Sequence, residues 1–172
     1  MRSSATRRFH EIYLLEDELP RLELYGIVFV LFAVFESVVK RLPEAKWLPS
    51  EEGADSLRAK RGDFISNAVR YYQDKLQVPL FDDAKSEEFM RMLNDVRSAV
   101  AHANGEIAML NDNVERRIRG QWMRRFQGLG INDGHLVVEP ELVLRAAYVV
   151  EKSLRGIITR LKQAYPRRDP GT

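Results

Sequence analysis

Apolar residues recur at helical spacing along nearly the whole chain. From about Ser4 to Leu19 the apolar positions Ile12, Leu15 and Leu19 predict a first helix, and Pro20 marks a boundary or kink because proline lacks an amide donor. From about Arg21 to Leu42, the residues Leu24, Ile27, Val28, Leu31, Phe32, Phe35, Val38 and Val39 keep the 3.6-residue period. Many of these are β-branched or aromatic, which suits a strand. The length of the run decides for a helix, since strands average about five or six residues.

Pro43, Pro49 and Gly53 bracket a polar loop. A third helix begins near Ser56 or Asp63 and ends at Leu76, with Phe64, Ile65, Ala68, Val69 and Tyr72 on its stripe. Pro79 and Asp82–Asp83 mark a turn before a fourth helix, Ala84 to Ala103. Glu87 and Glu88 suit the positive end of its dipole, and Asn104–Gly105 is a good stop because both residues tolerate left-handed backbone. An arginine-rich fifth helix is expected over Ile107–Phe126. Leu129–Ile131 and His135–Val138, joined by Asn132–Asp133–Gly134, predict a β-hairpin. Pro140 then opens a last helix reaching Tyr165. The expected fold is therefore all-α: an up-and-down bundle of five to six helices with a small hairpin near residues 129–138. A single domain over residues 1–165 and a disordered tail over 166–172 complete this expectation.

Composition narrows the chemistry. The 172 residues suffice for a core without disulfides or structural metal, and 45% hydrophobic against 30% charged is an ordinary globular balance. The chain has no cysteine, which excludes a disulfide scaffold, a thiolate zinc site, an iron–sulfur cluster and a cysteine nucleophile. The net charge is only +2, but the cations are mostly arginine, 20 Arg to 7 Lys, the residue suited to bidentate phosphate or carboxylate recognition. The most apolar run, Leu24–Phe35, has 12 uncharged residues, fewer than the roughly 18–20 of a membrane span. The basic, polar N-terminus does not read as a secretory signal. A soluble, cytoplasmic protein without a membrane partner is the expectation.

No phosphate-binding P-loop, dinucleotide fingerprint or GxSxG elbow is present. His10, His102 and His135 are far apart, so neither a metal nor a cofactor is expected. One local constellation remains, Arg97-Ser98-Ala99-Val100-Ala101-His102 followed by Ala103-Asn104-Gly105. An imidazole exchanges protons near neutral pH, and a guanidinium holds a phosphate and stabilises charge built up during attack. If the substrate is RNA, its own 2′-hydroxyl supplies the nucleophile, and no metal, cysteine or activated serine is needed. Positions five apart on a straight helix differ by about 140°, so the pair does not share a narrow face. Fraying at the stop, or a two-fold copy of the helix, would bring such groups together. The structural alternative is a surface arginine and a helix-terminal histidine that complements the dipole.

The stretch Asn94-Asp95-Val96-Arg97-Ser98-Ala99-Val100-Ala101-His102-Ala103-Asn104-Gly105 resembles the signature of HEPN domains, all-helical bundles whose nuclease members carry R-x(4–6)-H late in a helix. Ala33-Val34-Phe35-Glu36-Ser37 resembles the apolar helix of that family with its embedded acid. The resemblance implies a metal-independent endoribonuclease, a homodimer with two R-x4-H motifs in a shared cleft, of the kind found as toxins of toxin–antitoxin or phage-defence systems. It implies that Arg97 binds and stabilises the scissile phosphate, that His102 assists the proton transfers or orients the 2′-hydroxyl, and that the products end in a 2′,3′-cyclic phosphate and a 5′-hydroxyl. Ser98 follows the arginine where active members often carry Asn, Asp or His, and Asn104 stands where one toxin subgroup has a tyrosine. Many members are non-catalytic, so a helical dimer that binds a partner protein or a nucleotide is the alternative.

Five further residues are supporting candidates. Glu36 is placed either as a salt-bridge partner of Arg97, at a simple exposed position, or in a structural pair. Asn94 and Asp95, one turn before Arg97 and Ser98, either line the same cleft or belong to a solvated face. Ser98 and Asn104 flank the motif residues. The arginines from Arg116 to Arg125 either guide RNA or form a solvated face with Asp112 and Glu115. Trp122, Phe126, Tyr71 and Tyr72 are expected to be packing residues.

Overall fold

A computed structural model describes residues 18–45 and 63–166, together with Glu16, Leu48 and Leu57. The helix expected before Leu19, most of the loop after Ala45 and the tail beyond Pro166 lie outside the described residues. The described chain has the expected all-α fold with one small hairpin. The helices are α1 (Leu19–Arg41), α2 (Phe64–Lys75), α3 (Ala84–Ala103), α4 (Asp112–Arg117), α5 (Met123–Arg125) and α6 (Pro140–Ala164). The strands are β1 (Leu129–Asn132) and β2 (His135–Val138).

Several boundaries follow from local chemistry. Pro20 falls in the first turn of α1, where a missing amide is tolerated. Asp63 caps α2, its carboxylate accepting from the amides of Ile65 and Ser66. Asp83 does the same for α3 through the Ser86 amide, at 2.6 Å. The hairpin pairs Leu129 with Val138 and Asn132 with His135, leaving Asp133–Gly134 as a two-residue turn. Both turn residues have positive φ, 46° and 78°, as a type I′ turn requires.

The segment expected as one helix over Ile107–Phe126 is instead broken. Ile107–Met109 forms a 3-10 turn, and Leu110 and Asn111 are extended. The Asn111 side chain accepts from the Val114 amide and starts α4 afresh. A π-helical turn, Ile118–Trp122, then separates α4 from α5.

The chain divides into two compact units, and α1, α3 and α6 each contribute to both. The first comprises residues up to Val30 and Asp95–Arg145. Its core includes Tyr25, Val28, Val96, Ala99, Ile107, Ile118, Trp122, Leu136 and Leu142. The second comprises Leu31–Asn94 and Ala146 onward. Phe32, Phe35, Ile65, Tyr72, Phe89, Leu93, Ile157 and Leu161 are among its buried residues. There Phe35 stacks on Phe81 at 5.9 Å, and the Tyr72 hydroxyl donates to the Val39 carbonyl at 2.8 Å.

Helix α1 buries Tyr25, Val28, Phe32, Phe35 and Val39 along one stripe. Its other side is also apolar, and Leu22, Ile27, Phe29, Val30 and Val34 remain exposed. Leu19–Glu44 is 26 residues long, with a most apolar window of mean hydropathy 2.1 of which 28% is buried. By length and composition that is enough to cross a membrane, although a core helix of a soluble protein also meets the criterion.

Candidate active site at the end of helix α3

The first unit holds Arg97 and His102. The C-terminal end of α3 is tied down by its neighbours. Asn104 and Gly105 both adopt left-handed backbone, with φ of 47° and 77°, and the Gly105 amide turns back to the Ala99 carbonyl at 3.1 Å. The Tyr25 ring packs so closely on Gly105 that a Cβ there would overlap the phenol. The Tyr25 hydroxyl donates to the Leu136 carbonyl. Burial of Tyr25 raises the pKa of its phenol, which keeps it a donor. The hairpin closes the knot: the Leu136 amide donates to the Gly105 carbonyl at 2.8 Å, and the Ile107 amide to the Gly134 carbonyl at 2.9 Å. His102 sits in the last turn of α3, exposed and next to this fixed stop.

Arg97 is half-buried, its guanidinium carbon 5.2 Å from the centroid of the Phe29 ring. This is a cation–π contact, and among the described residues the Arg97 guanidinium makes no hydrogen bond or ion pair. Phe29 itself is 39% exposed. This platform is absent from the sequence reading, because Phe29 falls off the buried stripe of α1. Its only signal was an aromatic ring on the outer side of an apolar helix.

Asp95 is 4% exposed. Its two oxygens accept from Arg117 Nε and Nη2 at 2.6 and 2.7 Å, and Oδ2 also accepts from Trp122 Nε1 at 2.8 Å. This carboxylate fastens α3 to the segment after it. Arg117 is thereby occupied, and Arg119 pairs with Glu115 at 2.7 Å within its own helix segment. Arg116, Arg124 and Arg125 are exposed.

In the second unit, Asn94 donates to the Asp63 carboxylate at 3.1 Å, which also receives Arg91 at 2.9 Å. Glu36 pairs with Lys40, one turn along α1. Of the three placements open for Glu36, the structural pair is the one found, and the Glu-x3-Lys spacing carries that signal. Ser98 is half-buried and stands one helical turn before His102, so the two share a side of α3. Asn104 is exposed in its left-handed turn.

The structure therefore places Arg97, Ser98 and His102 on the last two turns of α3, with Asn104 in the turn just after it, and sets Phe29 against Arg97. It gives Asp95 and Glu36 other partners. Among the described residues, no hydrogen bond or ion pair joins Arg97 to His102, as their angular separation on the helix requires. No group of three or more His, Asp or Glu side chains suited to a metal occurs among the described residues. Neither a protein-family model, nor a curated protein, nor a solved structure matches this chain.

Proposed function

We propose that this chain is a HEPN-like, metal-independent endoribonuclease that works as a cytoplasmic homodimer, acting as an effector of a toxin–antitoxin or phage-defence system. The observation that carries the reading is that Arg97, in cation–π contact with Phe29, and the exposed His102 both stand on the last two turns of α3, beside a hydrogen-bonded helix stop. The apolar outer side of α1 supports the dimer. Leu22, Phe29, Val30 and Val34 form an exposed stripe that a second copy would cover, and Arg97 lies against one of its residues.

The reaction is an internal transfer. The substrate 2′-oxygen attacks phosphorus and gives its proton to an imidazole, His102 in this assignment. The bond from phosphorus to the 5′-oxygen breaks, and that oxygen receives a proton from the imidazolium, leaving as a hydroxyl and restoring the neutral ring. Arg97 holds the non-bridging oxygens and offsets the charge they gain. Ser98 supports His102 from the same side of the helix, and Asn104 shapes the turn that fixes it. Glu36, Asn94 and Asp95 act indirectly, through the local structure their partners impose. A cognate antitoxin or other defence partner would act by covering this helix end.

The non-catalytic dimer is the second reading, favoured by Ser98 in place of a charged or amide residue after the arginine. End-labelled RNA incubated with the protein in EDTA separates the two. Fragments ending in 2′,3′-cyclic phosphate and 5′-hydroxyl are expected, and intact RNA contradicts the nuclease assignment.

A further inference from the structure

A second arginine–histidine pair, distant in sequence, lines one cavity of the first unit. The cavity has a volume of about 300 Å³ and is walled by Glu18, Arg21 and Leu24 on the α1 side and by Asn132, Asp133, His135, Val137 and Val138 of the hairpin. Its size is at the lower end of small-molecule sites.

Arg21 is the central group. Its Nε is buried and has no hydrogen-bond partner among the described residues. Its Nη2 donates to Glu18 at 2.6 Å, and its guanidinium carbon lies 5.7 Å from the Tyr25 ring centroid. The guanidinium is thus oriented on two sides while one donor is left without a partner. A buried donor left unpaired is costly, and an anion that displaces Glu18 from the same guanidinium would satisfy it. His135 faces the same space, with Nδ1 3.2 Å from the Asp133 carbonyl. That contact makes Nδ1 the donor to the carbonyl and leaves Nε2 as the second polar atom of the ring. The hairpin carrying it is held by the amide contacts to Gly105 and Gly134, so the ring is mounted on a fixed element. Asn132 adds an amide, and Leu24, Val137 and Val138 add an apolar wall.

We infer that this cavity binds a phosphate group carried on a partly apolar body of nucleotide size, with Arg21 as the anion anchor and His135 and Asn132 as hydrogen-bond partners. Glu18 is its internal competitor. A phosphate dianion engages an arginine fork more strongly than a single carboxylate does, so ligand entry exchanges Glu18 for the phosphate. The inference is independent of the Arg97–His102 assignment, since no residue is shared between the two sites.

The test titrates the full chain with adenosine 5′-monophosphate and with adenosine by calorimetry. The nucleotide binds at least about tenfold more tightly than the nucleoside, the scale of one charged hydrogen bond. Arg21→Gln and His135→Gln each weaken the nucleotide by about tenfold, Glu18→Gln tightens it, and Arg155→Gln, an exposed position of the second unit, leaves it unchanged. Competition by an RNA hexamer in the Arg97→Ala protein identifies a strand phosphate as the natural source, and its absence identifies a free nucleotide. Equal binding of nucleotide and nucleoside, full affinity in folded Arg21→Gln and His135→Gln proteins, or no nucleotide binding by wild type overturns the site. Because Glu18→Gln removes the negative charge while keeping the side chain's size, a tightening there cannot be mistaken for loss of the fold.

Discussion

Single side chains decide how the end of α3 is held. Asp95 is buried and accepts three hydrogen bonds from Arg117 and Trp122. Asp95→Ala strands the buried Trp122 N–H and removes the Arg117 ion pair, and a loss of about 2–4 kcal/mol in unfolding free energy is expected in urea melts. Arg117→Ala, which frees a side chain that is 44% exposed but leaves the Trp122 bond, costs less. Gly105 is the second such position. Its φ of 77° and the overlying Tyr25 ring leave no room for a side chain. Gly105→Ala is expected to cost about 2–4 kcal/mol, from backbone strain and overpacking together. A melting temperature equal to wild type would contradict this account of the helix stop.

The separate elements show how much the sequence declared. Helix α3 was readable to the residue because its stripe, acidic first turn and Asn–Gly stop all agree. The hairpin was readable because Asp–Gly between short apolar runs specifies its turn. The break within residues 107–126 was missed although its signal is present: Asn111 is a capping residue ahead of Asp112. Arginines at helical spacing masked it. The partners of Arg97 and Asp95 were not legible, since Phe29 and Trp122 reach them only through tertiary packing. The α3 cap gives a pH prediction. Hydrogen bonds from the Ser86 amide, then from Lys152, lower the Asp83 pKa from 3.8 to about 2. A depressed carboxylate contributes stability that is complete above the unfolded value, about 3.8, and disappears as pH falls through about 2. Wild type should therefore exceed Asp83→Ala in melting temperature at neutral pH, and the gap should shrink between pH 4 and 2. A gap independent of pH would show that the charge is not what caps the helix.

For the whole molecule, the outer side of α1 asks what covers it. Covering by a second copy predicts that Val30→Glu or Val34→Glu shifts the sedimentation mass from dimer to monomer while helicity is kept. The same stripe, with its membrane-compatible length, makes fractionation informative. Recovery in the supernatant after ultracentrifugation accords with covering of this stripe by a second copy in solution, and recovery with vesicles would assign α1 to lipid instead. The nuclease assignment rests on more than the dimer, because a binding module would dimerise equally well. It rests on one guanidinium and one imidazole acting on a phosphodiester. The most direct measurement is the initial rate of RNA cleavage in EDTA by wild type, Arg97→Ala and His102→Ala, each shown to be folded by circular dichroism. The account predicts cleavage by wild type and a loss of at least about a hundredfold in each variant. Equal rates in all three, or no cleavage by wild type, would contradict it.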